Sequence, residues 1–216
     1  MVESGRVYFG SFDGNVYAVD ATSGALLWKH DTGAPVVSTP ALQGGHVIVG
    51  SRSFDLLALD ARTGATVWNR YVWFSWVESS AAMREAMAYV GSSDAAKLYA
   101  LDARNGKSAW ELDVHGWAWG TPAVTDRRVI IGTSATADYV VGHAAAFLAV
   151  ERASGKVAWR FPIATPGDPS TCGFAASAAV GDGLVFAGAV DGTVFAFAQQ
   201  DRAFSASRTA PGRPPP

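Results

Sequence analysis

The chain has 216 residues, a formal charge of −2 and a single cysteine, Cys172, so neither an intrachain disulfide nor a thiolate zinc cluster can form. Charged residues make up 17%, too few for a disordered chain, and no basic block supports binding to nucleic acid. No apolar run reaches the ~20 residues of a membrane-spanning helix, which excludes insertion of that kind. The unusual entries are 23 glycines and 8 tryptophans, which together suggest strands cut by tight turns and anchored by large rings.

In chain order the first predicted elements are an apolar run to Gly10, a hairpin at Asp13-Gly14 that suits positive φ, and the stretch Ala18-Val-Asp20-Ala-Thr-Ser-Gly24-Ala-Leu-Leu-Trp28. The same eleven-residue pattern returns at Ala58 (Asp60, Gly64, Trp68), at Ala100 (Asp102, Gly106, Trp110) and at Ala149 (Glu151, Gly155, Trp159). A small segment opens each later unit, at Thr39-Pro40, Ser80-Ala81, Thr121-Pro122 and Ser177-Ala178, and an apolar run then ends in Gly50, Gly91, Gly132 or Gly188. The last unit runs through Leu184–Gly188 and Thr193–Ala198, but Ala198, Arg202 and Ala206 stand where Asp, Gly and Trp are expected.

Each run has strand length and composition, and turn residues fill the gaps, so the units are antiparallel strands apolar on both faces. Four short strands per ~40–45 residues predict propeller blades; the runs are too short and too β-branched for a helical solenoid. In the motif, Asp accepts turn N–H groups, Gly supplies a left-handed residue, and Trp buries its ring against the adjacent blade with its N–H seeking a carbonyl. The twelve motif residues therefore read as structural.

The pattern resembles the tryptophan-docking motif of the PQQ-like (quinoprotein and BamB-type) β-propeller repeats, over roughly residues 2 to 198. That resemblance implies an all-β propeller of four-stranded antiparallel blades, usually an eight-bladed ring. About five units fit in this chain, with full blades near 39–70, 80–112 and 121–161 and a partial one at each end. The expectation is thus an incomplete or open ring over 1–198, with a divergent small ring closed by its termini as the alternative, followed by a proline-rich disordered tail, 199–216. The start Met1-Val2-Glu3-Ser4-Gly5 does not read as an export signal.

The connections between second and third strands, and between one blade and the next, emerge on one face. Unit four carries two insertions there, containing Asp138 and His143, and Asp168 and Cys172. The four tryptophans outside the motif, Trp73, Trp76, Trp117 and Trp119, fall on the same side. Trp76 aligns with Trp117 and Glu78 with Trp119, and i, i+2 spacing puts each pair on one face. These rings either fill gaps between blades or, with Glu78, Asp138 and His143, form a surface for a protein, peptide or planar ligand.

No nucleophile, acid pair or histidine spacing marks a catalytic site. The histidines suggest surface or turn positions, and Asp13-Gly14-Asn15 a hairpin rather than calcium. The leading expectation is a non-catalytic interaction scaffold or ligand sensor without cofactor, its missing blades supplied by the rest of a parent chain. The alternative is a fragment of a PQQ-dependent alcohol dehydrogenase, where the resemblance implies a quinone stacked on tryptophan and a calcium ion, with Trp119, Glu78 or Asp138 as candidates. A third is the sensor domain of a larger protein. The resemblance implies an extracytoplasmic, cell-envelope location.

Overall fold

The computed structural model of the chain describes residues 1–137, 142–164 and 171–198, and the backbone of 206–209. Sheet I holds β1 (Val2–Glu3), β2 (Arg6–Gly10), β3 (Asn15–Asp20) and β4 (Leu26–Asp31). Sheet II holds β5 (Ala41–Gln43), β6 (His46–Gly50), β7 (Asp55–Asp60) and β8 (Thr66–Tyr71). Sheet III holds β9 (Ala82–Arg84), β10 (Met87–Gly91), β11 (Lys97–Asp102) and β12 (Ser108–Asp113). Sheet IV holds β13 (Ala123–Val124), β14 (Arg128–Ala135), β15 (Ala146–Glu151) and β16 (Val157–Pro162), and β17 (Cys172–Gly173) pairs with the end of β14. Sheet V holds β18 (Ala179–Gly181), β19 (Leu184–Gly188), β20 (Val194–Ala198) and β21 (Ala206–Thr209). Every sheet is antiparallel with its strands in sequential order. The first strands β5, β9 and β13 lie against one another, which makes them axial and the fourth strands peripheral.

The apolar composition of both strand faces follows from what each face meets. In β7, Leu57 and Leu59 enter the core shared with sheet I, while Leu56 and Ala58 enter the core shared with sheet III. In β11 and β15 alternate residues divide the same way between neighbours on either side. Each such leucine contributes about 1.5–3 kcal/mol by leaving water. Among the described residues no core joins sheet V to sheet I, so the five sheets form an open arc. Its end faces leave Phe9 on sheet I and Phe186 and Val194 on sheet V exposed.

The motif residues tie neighbouring sheets together. The Asp60 carboxylate accepts the N–H of Arg62 at 3.0 Å and of Thr63 at 2.7 Å, and Asp20 binds Thr22 and Ser23 alike. The turn then reaches a glycine at φ near 70°: Gly24, Gly64, Gly106 and Gly155. Trp28 Nε1 donates to the Ala61 carbonyl at 3.1 Å, Trp68 to Ala103 at 2.9 Å and Trp110 to Arg152 at 2.9 Å, each in the next sheet. The same three indoles lie on the next glycine so closely that a Cβ there would stand 2.7–2.8 Å from the ring. A bulge just before each tryptophan, at Leu27, Val67, Ala109 and Ala158, turns the ring inward, and an alanine (Ala18, Ala58, Ala100, Ala149) stands opposite.

The structure differs from the sequence reading at the far end. Residues 206–209 do not belong to a disordered tail; they form β21, the fourth strand of sheet V, with Ser207 opposite Ala196. The tryptophan position is thus one residue later than the spacing predicts, and no bulge accompanies it. Residues 199–205 and 210–216 lie outside the described residues. Cys172 is also placed in a strand rather than a loop, half-buried and opposite Ala135.

The glycines give a graded test. Gly24 has φ +73 and nothing within 4 Å, whereas Gly64 has φ +75 and the Trp28 ring on it. Gly24→Ala should therefore lower unfolding free energy by only about 1–2 kcal/mol, the left-handed penalty alone. Gly64→Ala should cost roughly a further 1–3 kcal/mol through overpacking. Equal losses in chemical denaturation would contradict the contact.

Candidate functional site

The upper face of the arc is where second–third hairpins meet the connections to the next sheet. The Val36 N–H donates to Ser11 O at 3.0 Å, Val77 to Ser51 at 3.2 Å, Ala118 to Ser92 at 3.0 Å and Phe174 to Thr133 at 3.1 Å. The connections pass so close over the second strands that a Cβ on Gly50 or Gly91 would lie within 2.4 Å of the next segment's backbone oxygen. That close approach explains the glycine at each crossing in the second strands of sheets I to IV, Gly10, Gly50, Gly91 and Gly132. The serines Ser38 and Ser79 seal the crossing: Ser38 Oγ donates to Gly50 O at 2.8 Å, and Ser79 Oγ donates to Gly120 O at 2.9 Å.

On this frame Trp76 and Glu78 do share a face, but a residue absent from the sequence reading joins them. The Arg52 guanidinium sits 4.5 Å from the Trp76 ring centroid, and its Nε donates to Glu78 Oε1 at 2.7 Å. The Phe12 ring of sheet I lies 6.0 Å from the same guanidinium. A row of Phe12, Arg52 and Trp76 therefore crosses two sheets, with Phe12 exposed and Trp76 partly so. Arg52 occupies the hairpin position of Phe12, an alignment the repeat contains but the search for tryptophans passes over.

In the next sheet Trp117 and Trp119 stack at 4.9 Å and 11° between planes. Trp119 Nε1 donates to Ser93 Oγ at 3.2 Å and Trp117 Nε1 to Asp94 Oδ1 at 3.2 Å. His143 stands edge-on to Trp117 at 4.9 Å. Trp117 and His143 are buried, 8% and 9% exposed, so His143 is not the surface or turn residue its sequence suggested, and Trp117 fills the gap between sheets III and IV. Trp119 is half-buried. Trp73 is not with them: it lies far more exposed, against Tyr71 and Phe74. Asp138 and Asp168 lie outside the described residues.

Of the groups named for a quinone–calcium site, Glu78 and Trp119 are engaged within the fold, and Asp138 lies outside the described residues. The Glu78 carboxylate is held by Arg52, and one face of Trp119 is covered by Trp117. Among the described residues no group of three or more His, Cys, Asp or Glu side chains could hold a metal ion. Among the described residues the upper face presents rings and paired charges.

Five consecutive antiparallel sheets around a common axis, the indoles of sheets I to III each lying on a glycine of the next sheet, define a β-propeller of PQQ-like repeats. The chain belongs to the family described as outer membrane protein assembly factor BamB, whose model matches residues 1–88 and 52–209. It is 30% identical over 175 residues to the quinohemoprotein alcohol dehydrogenase ADH-IIG of Pseudomonas putida, covering 78% of this chain and 20% of that protein. The BamB structure from Moraxella catarrhalis superposes with a TM-score of 0.76 at 19% identity, over 98% of this chain and 63% of that one. The quinohemoprotein alcohol dehydrogenase of Comamonas testosteroni superposes with a TM-score of 0.83 at 18% identity, over 98% and 42%. The chain thus spans about a fifth of the length of the curated relatives it matches.

Burial holds the His143 pKa below its ordinary value of 6.5, and the Asp94 and Asp113 carboxylates only partly oppose this. The folded chain keeps His143 neutral while the unfolded chain protonates it, so this contribution to stability is lost as pH falls below about 6.5. The carboxylates lowered most act elsewhere. Tyr17 holds Asp13, and Arg104 holds Asp102, at about 2 instead of 3.8, so their contribution is lost only as pH falls from about 3.8 toward 2. The melting temperature should therefore drop between pH 7.5 and 5, and His143→Leu should flatten that drop. An unchanged slope in the variant would argue against a buried neutral histidine.

Proposed function

We propose that the chain is a non-catalytic propeller module whose upper face binds a protein or peptide partner, through Trp76 and Trp119 with the Phe12–Arg52 row beside them. The observation carrying this reading is that, among the described residues, chemistry-bearing groups at the face are already paired with one another. Arg52 is tied to Glu78, and the indole N–H groups of Trp117 and Trp119 are bonded within the fold, while ring surface stays open at Phe12 and Trp76. Aromatic and arginine side chains of this kind are typical anchors of interfaces. The description of the family as an assembly factor, and the BamB likeness, support the same reading.

Sheet I adds a second support, for blades supplied by the rest of a parent polypeptide. Gly24 repeats the turn of Gly64, Gly106 and Gly155, yet no indole lies on it. Its open socket has the shape that receives another tryptophan-bearing blade. Placement in the cell envelope, as for an assembly factor of the outer membrane, belongs to this proposal. The second reading, part of a quinohemoprotein alcohol dehydrogenase, is favoured by the 30% identity to ADH-IIG.

Two experiments separate them. Peptides selected on the wild-type chain from a displayed library should bind at least roughly tenfold more weakly to the Trp76→Ala/Trp119→Ala variant, whose circular dichroism should stay that of β-sheet. Undiminished binding on an intact fold would remove the face from consideration. Incubation with PQQ and calcium should leave no quinone absorbance on the chain after gel filtration and no dye-linked alcohol oxidation. Retained quinone with turnover would establish the dehydrogenase reading instead.

A further inference from the structure

Sheet II gathers four aromatic rings where its peripheral strand ends. Tyr71 closes β8, Trp73 and Phe74 follow it, and Phe54 comes from the hairpin between β6 and β7. They meet edge-to-face: Phe54 lies 6.3 Å from Tyr71 and 6.0 Å from Phe74, and Trp73 lies 5.1 Å from Phe74 and 6.2 Å from Tyr71. The cluster is nevertheless left in water, with Trp73 73% exposed, Phe74 62% and Tyr71 50%. Single exposed apolar residues mean little, but rings that adjoin one another at the surface mark a place of contact with something else.

Beside the rings a cleft of about 490 Å³ opens toward sheet III, within the ~300–1,000 Å³ usual for small-molecule sites. Its wall is polar. Arg70 lies over the Tyr99 ring at 5.3 Å and pairs with Glu111, Lys97 Nζ stands 3.6 Å from Glu111, and Asp94 accepts the Trp117 indole N–H. Among these lining residues two cations face two carboxylates, so the wall favours neither an anion nor a cation. At 3.6 Å the Lys97 contact is longer than a hydrogen bond, which leaves its N–H donors open to a ligand. A wholly apolar occupant would strip water from these charges and replace none of its hydrogen bonds, which is costly. The occupant that fits is uncharged, lays one apolar face on the rings and carries hydroxyl groups along its edge.

We propose that this cleft binds a neutral oligosaccharide of β-linked pyranose rings with equatorial hydroxyls. Such a ring turns only axial C–H groups to its two faces, which lie flat on an aromatic surface, and sets every hydroxyl around its edge. Trp73 supplies the platform, with Phe74 and Tyr71 extending it, and their rings lose exposed apolar surface when the sugar stacks on them. Lys97, Arg70 and Glu111 meet the hydroxyls through charge-assisted hydrogen bonds, stronger than those between neutral groups. Neither Trp76 nor Trp119 lines this cleft, so the sugar site and the peptide-binding face stand or fall separately.

The test titrates cellotetraose and chitotetraose into the full chain, followed by calorimetry and tryptophan fluorescence. The two share the ring geometry and differ in the substituent at carbon 2, so binding of one alone identifies the source. At least one should bind saturably, with an affinity that salt leaves unchanged because the ligand carries no charge. The tetramer of β-linked glucuronic acid, with the same rings and a negative charge on each, should bind no more tightly. Trp73→Ala should weaken binding at least roughly tenfold while melting as wild type, since its ring is already in water, and Trp73→Tyr should recover most of the affinity. Trp76→Ala/Trp119→Ala should leave sugar binding unchanged. The proposal is overturned if neither neutral sugar saturates the wild-type chain at millimolar concentration, or if the anionic tetramer binds more tightly. Binding that survives Trp73→Ala, or is lost in the Trp76/Trp119 variant, overturns it equally.

Discussion

The contact of an indole ring with a bare glycine in the next sheet is what the rest of the architecture depends on. It combines three demands in one place. The glycine must lack a Cβ because the ring sits where that atom would be, it must adopt a positive φ to close its own turn, and the carbonyl beside it must be free to accept the indole N–H. The bulge before each tryptophan and the alanine across from it serve the same end, one aiming the ring and the other leaving it room. Once that latch sets the spacing between sheets, two-sided apolar strands can fill the cores on either side.

The upper face follows from a second constraint of the same type. In sheets I to IV the second strand carries a glycine where the neighbouring connection crosses directly above it, which locks hairpins and connections into one continuous rim. Side chains borne on that rim are therefore held by the scaffold. This is why Arg52 can lie near both Phe12 and Trp76, and why Trp117 and Trp119 stack face to face instead of rotating independently.

Most of the fold was legible because its constraints recur: an acid (Asp, or Glu151 in the fourth unit), Gly and Trp keep their offsets in four units, and at three junctions the Trp and Gly meet. Where the repeat decays, legibility fails. Ala198 hid β21, since backbone pairing in sheet V continues without the residues that advertise it elsewhere. The site was less readable. Trp76 and Glu78 were placed on a common face by spacing, but the cation between them comes from another hairpin, and nothing local to either marks Arg52. His143 sits in an insertion with no counterpart in other units, so its burial against Trp117 depends wholly on tertiary packing.

Sheet V lacks the latch on its own outer strand: Ser207 occupies the tryptophan register, and no bulge precedes it. That strand would latch a following sheet; at the junction with sheet IV, Trp159 lies tilted over Phe197 at 5.7 Å, beside Phe147 stacked on Phe197 at 4.9 Å and Phe174 edge-on to Phe195 at 5.4 Å. An array whose units touch only their neighbours opens from its weakest junction, not all at once. Cooperativity is therefore graded along the arc, with amide exchange beginning in sheet V and reaching sheets II and III, gripped from both sides, last.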